Sequence, residues 1–80
     1  MSNLEYYHNK GEEDGSEGHC NYDPPRKNFD FDWDYKEAYD EGWSYAVGQY
    51  DYNNNYGYRP KGNKESYDDG WNNAKEQDDD

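Results

Sequence analysis

The sequence predicts a small, mainly α protein. Two short helices, at about 34–49 and 64–77, pack through faces of glycine, tryptophan and tyrosine, after a long N-terminal segment that is irregular or forms a short strand. Three observations carry this. Residues 36–46 (KEAYDEGWSYA) and 64–74 (KESYDDGWNNA) are identical at seven of eleven positions, 28 residues apart. Around the first copy, Tyr35, Ala38, Tyr39, Gly42, Trp43, Ala46, Val47 and Tyr50 recur at the three- and four-residue steps of one helix face. Finally, the apolar content is aromatic: 11 Tyr, 3 Trp and 2 Phe in 80 residues. A core here has to be built from rings, each able to bury about 150–250 Å².

The elements follow in order. Residues 1–28 read as a flexible or irregular N-terminal segment. Within it, HNKGEEDGSEG (8–18) carries Gly11, Gly15 and Gly18 and reads as linker, with a weak first helix as the alternative. NYDPPRKN (21–28) is irregular because Pro24 and Pro25 remove two donors and fix the backbone. FDFDWDY (29–35) alternates aromatic and acidic residues, the period of a strand. The stretch between the helices, rich in Asn and Gly with Pro60, is a loop whose tyrosines can pack back over the helices. Residues 29–77 then form one helix–loop–helix domain, and 78–80 are an acidic tail that frays. Gly42 and Gly70 fall mid-helix, where glycine costs about 1 kcal/mol against alanine. The same cost at the same repeat position predicts close backbone approach between helices. The expected core is Tyr39, Gly42, Trp43, Ala46, Tyr67, Gly70, Trp71 and Ala74.

Charge narrows the function. Eight Lys and Arg stand against 20 Asp and Glu, a formal net charge of −12. A direct nucleic-acid binder carries a basic stripe, which this chain lacks. No apolar run approaches the ~18 residues of a membrane span, and no basic-then-apolar leader is present. The single cysteine, Cys20, excludes an internal disulfide and suits a reducing compartment. The expected location is therefore the cytoplasm, that of a host cell if the chain is phage-encoded.

The repeat resembles ribosome modulation factors, a family of small helix pairs with a G-x-x-x-G-x-x-G stretch, a Pro-Tyr loop and an R-x-x-W-x-x-G-W-x-x-A helix. Gly11, Gly15 and Gly18 reproduce the glycine spacing, with Cys20, Tyr22 and Pro24 near the loop position. Lys36, Tyr39, Gly42, Trp43 and Ala46 give K-x-x-Y-x-x-G-W-x-x-A, and Lys64, Tyr67, Gly70, Trp71 and Ala74 give it again. In a second alignment, preferred here, the two predicted helices stand for the family's pair and Asn55 and Tyr56 lie in the loop. The resemblance covers about 35–65 residues and implies a helix pair that acts on ribosomes. The departure is charge: that family is basic and binds ribosomal RNA, whereas this chain is acidic.

Candidate site residues are acidic and aromatic. Asp30, Asp32 and Asp34 on an extended strand would stand about 6.6 Å apart, close to the separation of successive phosphates on one nucleic-acid strand. Phe29, Phe31 and Trp33 would form the opposite face, docked on the helices or on a partner. A solvated edge strand, or a linear motif that folds on a basic groove, would read the same way. Glu37, Asp40, Glu41, Asp68 and Asp69, with Glu65, form two equivalent acidic clusters. Glu37 and Glu65 are also accounted for by the helix dipole. Asp30, Asp32, Asp34 and Glu41 match calcium-loop ligand positions, but Tyr35 stands where that loop needs glycine. His8, His19 and Cys20 have no zinc spacing. No nucleophile–base set and no phosphate-cradling loop is present. The expectation is a non-enzymatic protein without cofactor or resident metal, bound to a basic nucleic-acid-binding protein as a nucleic-acid mimic. Its size and composition are similar to phage-encoded anti-restriction and anti-CRISPR inhibitors. A ribosome-associated protein and an acidic antitoxin or chaperone are the alternatives. A dimer through the Gly-Trp face is compatible with the stripe.

Overall fold

A computed structural model describes residues 3–25 and 32–78. Three helices follow one another: α1 (Asn3–Gly15), α2 (Asp32–Asn53) and α3 (Lys64–Asp78). The middle helix packs on both neighbours, while α1 and α3 do not touch. The molecule is accordingly elongated, 43 × 24 × 18 Å.

The N-terminal segment corrects the sequence reading. Asn3–Gly15 is helical and packs along α2, so this stretch is a third helix of the fold rather than part of an irregular lead-in, while 16–25 are irregular as expected. Glycine spacing misled because glycine is a linker residue in isolation. Gly11 and Gly15 lie four apart, on one helix face. A Cβ on Gly11 would strike the backbone at Tyr39 and Trp43, and one on Gly15 the Trp43 carbonyl and Ala46. Glycine here admits a neighbouring backbone, and the packing gained offsets its poor helix propensity.

The expected reciprocal approach is present on α2 and α3. Gly42 faces the His8 carbonyl of α1, and Gly70 faces the Tyr45 carbonyl of α2. Gly48 supplies the same kind of contact beneath Tyr67 and Trp71. The α1–α2 and α2–α3 interfaces are therefore built alike, and α2 serves in both. Its first half carries the Tyr39-Gly42-Trp43-Ala46 stripe. Its second half carries Gly48 and Asp51, which stand to α3 as Gly11 and Asp14 of α1 stand to α2, 37 residues earlier.

The helix exits match as well. Gly18 (φ 106°) and Asn55 (φ 60°) both take the left-handed conformation and donate their N–H to the carbonyls of Gly15 and Tyr52. That conformation favours glycine and tolerates asparagine. At the start of α3, the Asn63 side chain accepts the Ser66 N–H at 3.0 Å, capping the helix. Ser44, fully buried in α2, accepts the Asn63 N–H at 2.8 Å and ties that cap to the core. The core consists of Tyr39, Trp43, Val47 and Tyr67, with Tyr7 and Trp71 packed against it.

The strand expected at 29–35 is corrected over its described part: Asp32, Trp33, Asp34 and Tyr35 form the first turn of α2. Acidic residues suit a helix N-terminus. Tyr35 is also held from α1, stacked on Tyr7 at 5.1 Å and hydrogen-bonded by Asn3 at 3.2 Å. Phe29, Asp30 and Phe31 lie outside the described residues. The helices expected at 34–49 and 64–77 are present as longer ones. Among the described residues, no helix is long and apolar enough to cross a membrane.

Candidate functional site

The carboxylates fall into two groups with different chemistry. The first group is internal. Tyr39 donates its hydroxyl to Asp14 at 2.5 Å and accepts the Asp23 N–H at 2.8 Å. Tyr67 donates to Asp51 at 2.5 Å and accepts the Arg59 N–H at 3.0 Å. In each case a buried tyrosine pins the loop before its own helix to an aspartate on the preceding helix. Asp51 is fully buried and Asp14 nearly so. Burial first, then the bond to the neighbouring carboxylate, push both phenols above the ordinary value, Tyr67 to about 12.

A second pair of networks lies over these. Tyr22 donates to Asp40 at 2.6 Å, and Lys36 reaches the other oxygen of the same carboxylate at 2.8 Å. Tyr58 donates to Asp68, and Lys64 reaches it at 2.9 Å. Tyr22 packs edge-on to Tyr39 and Trp43, as Tyr58 does to Tyr67 and Trp71. The hydrogen bonds to Asp40 and Asp68 raise Lys36 and Lys64, and the Tyr58 bond, then Lys64, hold Asp68 below the usual carboxylate range. Asp40 and Asp68 were expected as partner-binding acids. The structure instead gives them internal partners, each clamping a loop tyrosine and a lysine to its helix.

The second group of carboxylates faces outward. Asp34, Glu37 and Glu41 on α2 and Glu5 on α1 line an open groove of about 410 Å³ between the two helices. Leu4, Ala38 and His8 complete its lining, and among the described residues neither lysine nor arginine lines it. His8 is paired with Glu12 at 3.4 Å on the α1 surface. The residues Asp34, Glu37 and Glu41 share a face of α2, spanning about 10.5 Å along its axis at 1.5 Å per residue. Trp33, 57% exposed, lies on a neighbouring depression with Lys36, Glu37 and Asp40. The exposed Glu65 and Asp69 sit on α3, away from the groove.

The remaining expectations sort as follows. Tyr39, Gly42, Trp43, Ala46, Tyr67, Gly70 and Ala74 are buried, and Trp71 is partly so. The face assigned to α2 from sequence was too narrow, because the helix is covered on two sides. The calcium-loop spacing does not form a loop: its residues Asp32 to Glu41 are helical, which places Asp34 and Glu41 two turns apart. Among the described residues, no group of three or more His, Cys, Asp or Glu is placed to hold a metal ion. Sequence reasoning missed Asp14, Asp51, Glu5 and the pairing of His19. One signal was available: Gly11-x-x-Asp14 and Gly48-x-x-Asp51 share a spacing. Comparison with known protein families, curated proteins and solved structures finds no match to this chain.

Proposed function

We propose that this protein is a non-enzymatic, acidic interaction protein that occupies the basic nucleic-acid-binding surface of another protein, in the manner of an anti-restriction or anti-CRISPR inhibitor. The observation that carries the reading is the groove between α1 and α2. Asp34, Glu37 and Glu41 of α2 line it, with no lysine or arginine among its described lining residues, while Asp14, Asp40, Asp51 and Asp68 are used internally. Like charges held together raise the free energy of the isolated protein. A partner's arginines and lysines relieve that cost through charge-assisted hydrogen bonds. Three carboxylates within about 10.5 Å of α2, about one per 5 Å, also make a run of negative charge on the scale of a DNA strand, about one phosphate per 3.4 Å. Exposed Leu4 and Tyr6 at the same end of α1 supply apolar and aromatic contact.

The test is capture of partners from host lysate with the tagged protein, eluted stepwise with salt. A nuclease, restriction subunit or CRISPR effector released at moderate salt and displaced by duplex DNA supports the reading. Glu37→Lys with Glu41→Lys then weakens capture at least tenfold. Recovery of ribosomal particles indifferent to DNA competition overturns it and favours a ribosome-associated role. A basic toxin that binds no nucleic acid overturns it in favour of an antitoxin.

A further inference from the structure

The exits of α1 and α2 hold equivalent places in the two units but are built differently. Gly15, Ser16, Glu17 and Gly18 form the first, and Tyr52, Asn53, Asn54 and Asn55 stand 37 residues later in the second. An aromatic ring and three amides thus take the place of two glycines, a serine and a glutamate. The tryptophans beside these exits differ as well. Trp43 is 4% exposed, covered by Tyr22 at 4.8 Å and by the His19 ring at 6.3 Å. Trp71 keeps the matching contact with Tyr58 at 5.4 Å but is only partly buried. At the position equivalent to His19 stands Tyr56, which packs against Tyr50 at 5.7 Å instead. The second unit therefore leaves open a place that the first closes.

An open groove of about 480 Å³ lies there, lined by Tyr52, Asn53, Asn55, Gly57, Trp71 and Asp78. Contacts between α2 and α3 climb together, Tyr45 with Gly70, Gln49 with Asn73 and Tyr52 with Asp78. The two helices thus run parallel, and their C-terminal ends meet at the groove. Tyr52 and Trp71 stand at 89° with centroids 5.2 Å apart, a two-sided aromatic wall. Tyr52 donates its hydroxyl to Asp78 at 3.1 Å, which orients the carboxylate. Gly57, at φ 84°, leaves open space where a side chain would stand. The first unit makes the same glycine and tyrosine–aspartate contacts with a plain exit, so the fold does not require these residues. The groove shares none of its lining with the acidic groove between α1 and α2.

We propose that this groove binds a neutral polyhydroxylated ligand, a short oligosaccharide. Its volume falls in the range of small-ligand sites. The aromatic wall takes the apolar C–H face of a sugar ring. Each asparagine amide both donates and accepts, as a sugar hydroxyl does, and Asp78 accepts. An anionic ligand is repelled by the net charge of −12 and by Asp78 at the site itself. A cation meets Lys75 in the same last turn of α3 as Asp78. A neutral sugar is indifferent to both charges.

The experiment is proton–nitrogen correlation NMR on the full chain, titrated with maltotriose, cellotriose and triacetylchitotriose. With at least one of these, the expected shifts centre on the Asn53 and Asn55 side-chain amides, the Trp71 indole N–H and the Asp78 amide. They saturate with millimolar affinity and persist at high salt, because no charge pair is screened. Asn53→Ala, at an exposed position, weakens binding about fivefold, the loss of one neutral hydrogen bond. Glu37→Lys, in the acidic groove, leaves it unchanged. No shift with any of the three sugars at tens of millimolar overturns the proposal. So do shifts scattered away from the groove, or binding unaltered in both Asn53→Ala and Asp78→Asn. Groove shifts produced by a triarginine peptide alone and lost at high salt also overturn it, and make the groove a contact for a basic protein.

Discussion

Replacing Tyr39 with phenylalanine removes one oxygen and tests the construction of the fold. The ring, fully buried between α1 and α2, keeps its volume. Two hydrogen bonds disappear together. Asp14 loses its 2.5 Å donor while remaining 7% exposed, and the Asp23 N–H loses its acceptor. A hydrogen bond to a charged group contributes about 1.5–3 kcal/mol, and the bond from the N–H of the exposed Asp23 about 0.5–1.5 kcal/mol. Lys10 still reaches Asp14, so the carboxylate is not left without a partner, which caps the loss. The expected destabilisation is about 2–4 kcal/mol. An 80-residue chain holds about 4–12 kcal/mol in total. The loss is a large fraction of that, and the melting temperature followed by circular dichroism drops by at least about 8 °C. Tyr67→Phe makes the parallel change at Asp51 and Arg59 and falls by a similar amount. A Tyr39→Phe protein that melts within about 2 °C of the parent would refute the view that these tyrosines pin loops to buried aspartates.

Three further outcomes are expected. Because Tyr39 and Tyr67 are raised above the usual 10.0, chiefly by burial, the unfolded chain ionises them before the folded one does. Their stabilisation is complete below about pH 10 and is lost as the pH climbs toward 12, so urea midpoints fall over that window and fall less steeply in Tyr67→Phe. Gly42→Ala gains about 1 kcal/mol of helix propensity, but its Cβ strikes the His8 carbonyl. With overpacking costing about 1–3 kcal/mol, the urea midpoint falls; an unchanged or raised midpoint would show that α1 does not approach α2 this closely. Charge reversal separates the two groups of acids. Glu37→Lys with Glu41→Lys leaves the melting temperature within a few degrees while weakening partner capture. Asp68→Lys instead frees Tyr58 and repels Lys64, so it shifts the tyrosine spectrum without any partner present.

The sequence made the α2–α3 pairing legible because its signal is strong and local. The GW repeat, the helical stripe and the Asn-Gly loop agree with one another, and Gly42 and Gly70 announce close contact by costing propensity twice. The first helix was legible only as an alternative. Gly11, Gly15 and Gly18 are linker residues by propensity, and their helical role exists only once α2 lies against them. The strand reading of FDFDWDY failed where it can be checked for the opposite reason. Its period of two is a genuine local pattern, yet Asp32–Tyr35 join α2, and Tyr35 finds Tyr7 and Asn3 on α1. A period describes a segment, whereas the helix start is decided by what a neighbouring helix offers.

The division of the carboxylates was not legible, and the reason bears on function. At −12, every acid in the sequence looks like a candidate for a basic partner. Folding sorts them by what stands three or four residues away and across an interface. Asp40 and Asp68 each have a lysine four residues earlier and a loop tyrosine above, so they are spent on structure. Asp34, Glu37 and Glu41 have, among the described residues, neither a lysine nor an arginine in the groove they line. The duplicated motif therefore explains about as much acidity as two copies of one structural network require, and the groove holds acidity that the network does not use. Glu5 sharpens the point. It lies outside the repeat, on a helix the repeat does not predict, yet it joins the α2 acids in the same groove. Acids from two separate parts of the chain therefore meet in one groove. Exchanging Glu41 for lysine is the most discriminating single change: it leaves both tyrosine–aspartate networks intact and alters the groove.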